Sequence, residues 1–321
     1  MLYNIAAIIV GFLLVIWSAD TFITGAAATA RNLNVSPLII GLTIVGFGTS
    51  APEMLIAVIA AADASPGLAV GNAIGSNITN ITLVLGVSAL IVPLHVHSGI
   101  LRKELPLLLA AMLLMLLVIQ DNHLGRTDGL ILWTSVLLLM WWVIRQALIN
   151  RTDDTMYAEF EQELPRTMST RLALVWLVIG LTLLIISSRI LVWGAIQIAT
   201  ELGVSDLLIG LTIIAIGTSL PELAAAIAGA LKNEHDIVIG NVVGSNMFNT
   251  LAVMGIPGLI YPSTLDAGVL QRDVPVVFIL TIALVIMAFG FKGQGRINRI
   301  EGAILFSCFV GYQVLLYFTE L

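Results

Sequence analysis

The chain has 321 residues, of which 59% are hydrophobic and only 11% charged, with a mean hydropathy of +1.03. A water-soluble domain carries roughly a quarter charged residues, so this composition excludes one and points to a bilayer. The net charge of −6 decides little, and the lone Cys308, inside the last apolar run, excludes an internal disulfide and a thiolate metal cluster.

An apolar run of about 18 residues is long enough to cross a membrane, and ten such runs follow one another along the chain. The first, residues 4–28, ends near "GAAATA" as a signal peptide would, but no basic segment precedes it, so it is read as a span. It carries Asp20, together with Gly11, Ser18 and Gly25 at sevenfold spacing, a packing stripe rather than a binding face. The second run, 35–62, holds "GTSAPE" at residues 48–53, and the third, 68–92, holds "GNAIGSNITN" at 71–80. Runs at 105–120 and 129–147 follow. The polar stretch Asn150–Thr170 is a linker, too short to fold alone. Beyond it come 172–198 with Arg189, 204–231 with "GTSLPE" at 217–222, 236–261 with "GNVVGSNMFN" at 240–249, then 274–291 and 300–319.

The second half repeats the first. A shift of 169 positions lays Val35–Pro93 on Val204–Pro262 without a gap, and 26 of the 59 pairs are identical. A small change of offset then pairs Asp128-Gly129 with Glu301-Gly302. Each half, 1–149 and 171–321, holds five spans, flanking the linker 150–170. Five is odd, so the second half must cross with opposite orientation, an arrangement recurrent in secondary transporters. Numbering the loops alternately puts eleven basic residues on one side and only Arg126 and Arg272 on the other. The basic side is cytoplasmic, which places the linker inside and both termini outside. Asp20 and Arg189 hold equivalent positions, but inversion separates them across the midplane, so a direct pair is not expected.

Glu53 and Glu222 fall within about one helical turn of the centres of their spans. A carboxylate there costs roughly 3 kcal/mol on insertion scales, and no Lys or Arg lies at that depth in the same spans to offset it. The neighbours suggest a cation instead. Pro52 and Pro221 lack an N–H and so break the helix, freeing backbone oxygens. Ser50 and Glu53 have capping-box spacing, so a second half-helix can restart there, and Thr49 and Glu53 share a helix face. In the next span of each half, Ser76 with Asn80 and Ser245 with Asn249 bring amide and hydroxyl oxygens to the same depth. Such hard oxygen donors suit Ca²⁺ or alkali cations. Asn72, Asn77, Asn241 and Asn246 are assigned to bonding between helices and left out of the site.

These paired blocks resemble the two alpha-repeats of the cation/calcium exchanger superfamily, in particular its prokaryotic sodium/calcium exchangers. The resemblance covers essentially the whole chain. It implies an all-α integral membrane protein of ten transmembrane helices in two inverted five-helix repeats, with broken helices at the ion site. It implies an antiporter exchanging Ca²⁺ for Na⁺ in the inner membrane of a prokaryote, with no cofactor, no nucleic acid and no obligatory protein partner. The family's ion-binding positions carry over to Thr49, Ser50, Glu53, Ser76, Asn80, Thr218, Ser219, Glu222, Ser245 and Asn249, with backbone oxygens of Gly46 and Ala215. Some members have an aspartate where this chain has Asn249, so only two formal negative charges remain here. The linker is too short for the calcium-sensing domains of animal relatives.

A Ca²⁺/H⁺ exchanger with the same site is the alternative. An intramembrane hydrolase using Ser50 or Ser219 lacks a base, because His95, His97, His123 and His235 all fall at or beyond span ends. A channel has less need of two broken-helix motifs related by inversion.

Overall fold

A computed structural model of the chain describes residues 2–33, 50–96, 101–149, 168–231, 235–289 and 295–320. Gly46, Thr49 and linker residues 150–167 lie outside the described residues. The helices are α1 (Leu2–Asn32), α2 (Ala51–Ala62), α3 (Pro66–Ile91), α4 (Leu101–Ile119) and α5 (Arg126–Ile149). There follow α6 (Thr170–Leu202), α7 (Asp206–Leu231), α8 (residues 235–260), α9 (residues 269–289) and α10 (Arg299–Glu320). Among the described residues, α1, α3, α6, α7, α8, α9 and α10 each contain a stretch long and apolar enough to span a bilayer. The protein is an all-helical, multi-pass membrane protein.

Local chemistry sets the helix ends. Pro66 opens α3 in its first turn, where a missing N–H costs nothing. Gly203, at φ +68°, follows the end of α6, and the Ser205 hydroxyl then caps α7 by accepting from the Leu208 amide at 3.1 Å. Asp128 reaches back to the Gly125 amide (2.8 Å) at the start of α5, and Glu301 to the Asn298 amide (2.7 Å) at the start of α10. The two residues that the sequence shift pairs therefore do the same job.

The apolar stretches of α3 and α8 are 78% and 83% buried, against 33% for α1 and α6 and 22% for α10. So α3 and α8 form the centre, and the others present apolar side chains to lipid. On the flank, α1 and α6 run antiparallel in close contact. Gly11 faces the Leu191 backbone, Ser18 Oγ lies 3.4 Å from Ser187 Oγ, and Gly25 faces the backbone of Ala173 to Leu177. The stripe of Gly11, Ser18 and Gly25 is a packing surface, as its spacing indicates.

Four short strands among the described residues carry no periodic signal in the sequence. β1 (Leu94–Val96) pairs antiparallel with β4 (Gly295–Ile297), and β2 (His123–Leu124) with β3 (Ser263–Thr264). Each pair joins one half of the chain to the other. In register, Leu94 faces Ile297 and Leu124 faces Ser263; under the two sequence offsets these are the same pair seen from either half. The 19 residues of α4 separate β1 from β2, about 28 Å at the helical rise, so the two strand pairs close opposite ends of the bundle.

Asp20 and Arg189 do not meet. Asp20 is exposed, while Arg189 Nη1 bonds Asp63 Oδ1 at 3.1 Å, just past the end of α2. With side chains 60% and 31% exposed, the pair contributes little to stability.

Candidate functional site

Two helix starts organise the centre. Ser50, at φ −88° and ψ 3°, precedes α2, and Ser219, at φ −84° and ψ 1°, interrupts α7 before it resumes at Leu220. The prolines explain both, since Pro52 and Pro221 fit only the first turn of a helix. The helical segments that begin there take their first acceptors from the serine carbonyls, with Met54 N to Ser50 O at 3.1 Å and Leu223 N to Ser219 O at 3.0 Å.

The capping box expected from Ser50 and Glu53 does not form. A capping serine is usually extended; with ψ near 0° the Ser50 hydroxyl does not reach the α2 amides, and Ser219 repeats the pattern. Both hydroxyls are buried without a hydrogen-bond partner. The carboxylates follow them inward. Glu53 and Glu222 are 0% exposed, and none of their four oxygens accepts a hydrogen bond. They lie within range of each other's charge, with the Thr218 hydroxyl beside Glu53 and Ser245 beside Glu222. Two like charges out of water, without hydrogen bonds, are strongly unfavourable unless cations or protons join them.

The neutral oxygens converge from both halves. Ser76 Oγ on α3 lies 3.3 Å from Thr218 Oγ1 on α7. Asn80 Nδ2 donates to Asn246 Oδ1 at 3.1 Å, leaving its own buried Oδ1 unpartnered. Both polar atoms of the Asn249 side chain are buried and unpartnered. The Ala215 carbonyl accepts from Ser219 N at 3.1 Å and Thr218 Oγ1 at 3.4 Å, so the break leaves it engaged within the helix. Of the residues picked from sequence, Ser50, Glu53, Ser76, Asn80, Thr218, Ser219, Glu222, Ser245 and Asn249 are all buried around this centre.

Two features were missed. Asn80–Val84 and Asn249–Val253 are π turns, with Leu85 N bonded to Asn80 O and Met254 N to Asn249 O. Such bulges commonly mark functional segments, and these begin at the two asparagines already singled out. Asn77 and Asn246 do bond between helices: Asn77 Nδ2 donates to Thr250 Oγ1 at 2.8 Å, and Asn246 Nδ2 to the Asn77 carbonyl at 3.4 Å. Asn72 also bonds between helices, to α7 and α2, but it does so inside the site. Its amide contacts Ser76, Thr218 and the Glu53 backbone.

Comparison with known proteins points to one family. The family described as sodium/calcium exchanger protein matches residues 3–145 and 172–318, breaking at the linker. CaxA of Alkalimonas amylolytica, whose name marks it as a candidate antiporter, is 48% identical over 99% of both chains. The inner membrane protein YrbG of Escherichia coli is 41% identical over 100% of this chain and 98% of its own. The solved sodium-calcium exchanger NCX_Mj, soaked with Na⁺ and Sr²⁺, superposes with a TM-score of 0.67 at 29% identity, covering 98% of each chain. Buried carboxylates and full-length similarity agree: the chain belongs to the sodium/calcium exchanger family, whose members exchange cations across membranes.

Proposed function

We propose that the protein exchanges Ca²⁺ for Na⁺ by alternating access, binding the ions between two inverted five-helix halves, 1–149 and 171–321. One observation carries the reading: Glu53 and Glu222 are fully buried, close enough to repel and accept no hydrogen bond, while uncommitted neutral oxygens surround them. Ca²⁺ neutralises the two charges alone, and two Na⁺ do so together. The ligands are the side chains of Thr49, Ser50, Glu53, Ser76, Asn80, Thr218, Ser219, Glu222, Ser245 and Asn249, with the carbonyls of Gly46 and Ala215. Asn249 adds an oxygen without charge. A third Na⁺ therefore leaves the loaded site one charge positive, worth about 2.3 kcal/mol per 100 mV, so three-for-one exchange responds to voltage and two-for-one need not.

The test is Ca²⁺ efflux from proteoliposomes into Na⁺, K⁺ or choline. Efflux should be several-fold faster into Na⁺. Equal efflux into all three indicates a channel, and stimulation by external acid alone indicates Ca²⁺/H⁺ exchange, in which protons neutralise the same carboxylates.

Inverted topology is supported by the eleven-to-two bias in basic residues and by the strand pairs closing opposite ends of the bundle. In a prokaryotic inner membrane both termini would face outward and Asn150–Thr170 the cytoplasm. Cysteines introduced near Met1 and Thr155 should react with an impermeant maleimide from opposite sides in intact cells and inverted vesicles. Labelling of both from outside would refute the arrangement.

A further inference from the structure

A hydroxyl binds a cation through its lone pairs, so its proton must be directed elsewhere. In this site that requirement is difficult to meet, because buried carboxylates attract the same protons. Ser76 and Thr218 lie 3.3 Å apart beside Glu53. Left alone, each would donate to a carboxylate or to the other, and a cation would have to break that bond before binding.

Asn72 offers another acceptor. Its Oδ1 accepts from Thr218 Oγ1 at 3.3 Å and from Ser76 Oγ at 3.4 Å. Its Nδ2 donates to the backbone carbonyl of Glu53 at 3.4 Å. That last contact fixes the amide's orientation, since a carbonyl can only accept and the nitrogen must face it. The oxygen is thereby held toward the two hydroxyls. Thr218 can also donate to the Ala215 carbonyl at 3.4 Å, but for Ser76 the remaining acceptors are Thr218 itself and the charged site. Asn72 is 0% exposed, so no water replaces it from bulk.

Resting on the exchange reading above, we infer that Asn72 is a positioning residue: its amide oxygen takes the protons of Ser76 and Thr218, turning both hydroxyls into cation acceptors. It does this without charge, leaving the balance between two carboxylates and one Ca²⁺ unchanged. Because the two hydroxyls come from different halves, the same amide also sets the distance between α3 and α7 at the ion. Residues that orient a metal's direct ligands typically cost about 10–100-fold in affinity when removed.

The test is Ca²⁺ binding to the purified full-length protein, read by ⁴⁵Ca²⁺ equilibrium binding. Asn72→Ala should weaken binding at least tenfold. Asn72→Asp keeps an acceptor for the two hydroxyls but loses the contact to the Glu53 carbonyl, so its binding should fall between that of Asn72→Ala and wild type. In a Ser76→Ala/Thr218→Val background, adding Asn72→Ala should change binding less than twofold, because its targets are gone; a purely structural role would persist there. Wild-type binding with equal binding by Asn72→Ala, a loss in folded Asn72→Asp as large as in Asn72→Ala, or a full tenfold effect in the double-mutant background each overturns the inference alone. A wild-type protein that binds neither Ca²⁺ nor Na⁺ overturns the exchange reading and this inference with it.

Discussion

Glu53→Gln and Glu222→Gln are each expected to bring Ca²⁺ transport to background, at least a hundredfold down, while raising the melting temperature of the cation-free protein. The two effects share one cause. Each glutamate is fully buried and its oxygens accept no hydrogen bond, so without a cation it is a net cost. The penalty for a buried, unpaired charge is several kcal/mol, and an amide of the same shape removes most of it. With Ca²⁺ present the sign reverses, because one remaining carboxylate cannot neutralise a divalent ion. Stabilisation of the wild type by Ca²⁺ should therefore shrink or vanish in both variants. Thermal unfolding in detergent, with and without Ca²⁺, beside vesicle transport, reads both. If either Gln variant melts lower without Ca²⁺, its glutamate holds a structural partner and has been misread. Full transport in either variant removes that residue from the mechanism.

Gly71→Ala should reduce transport more than tenfold with the protein still inserted, and Gly71→Leu should lower the yield of folded protein as well. At this point α3 crosses α7 with backbone against backbone. A methyl group on Gly71 would strike the Leu207 carbonyl and come within 2.9 Å of the Leu211 nitrogen and 3.0 Å of the Gly210 Cα. Reciprocally, a methyl on Gly210 would lie 2.5 Å from the Leu68 carbonyl. No rotamer relieves a clash with a helix backbone, so the helices must separate. Overpacking of this kind costs about 1–3 kcal/mol. The functional loss should be larger than that implies, because Ser76 and Thr218 already stand 3.3 Å apart and any separation divides the site. Gly311→Ala, where nothing lies within 4 Å, is the control and should behave as wild type. Fluorescence-detected gel filtration separates misfolding from inactivity. Normal transport by Gly71→Ala would show that the helix crossing tolerates movement.

The helices were legible in the sequence because apolar runs set their lengths and prolines and serines their ends. Of the described helices, α3 was placed at 68–92 and is found at Pro66–Ile91. Glu53 and Glu222 were legible because a carboxylate in an apolar run has few explanations. What escaped depends on partners distant in sequence. β1 and β4 are three residues long, too short for a periodic signal, and stand 199 residues apart. The capping box failed on a single dihedral, ψ at Ser50, that spacing cannot reveal. Arg189 was weighed against Asp20, its counterpart in the repeat, whereas its partner is Asp63 at the end of another helix. Asn72 was set aside with three other asparagines because composition treats them alike; only the packing of α3 on α7 distinguishes it.

The strands that join the halves also constrain how the protein is made. When the ribosome has finished α5, β1 and β2 have no partners, Gly71 has no helix against it, and the Asn80 amide has no Asn246 to bond. All four arrive only with residues beyond 206. At about 5–20 residues per second, the interval between β1 and β4 lasts roughly 10–40 s. For that time Glu53 and the asparagines of α3 sit in a half-built bundle with their polar groups toward lipid or the insertion machinery. The two halves are therefore unequal in biogenesis however alike they are in sequence: the first must be sheltered, and the second completes it.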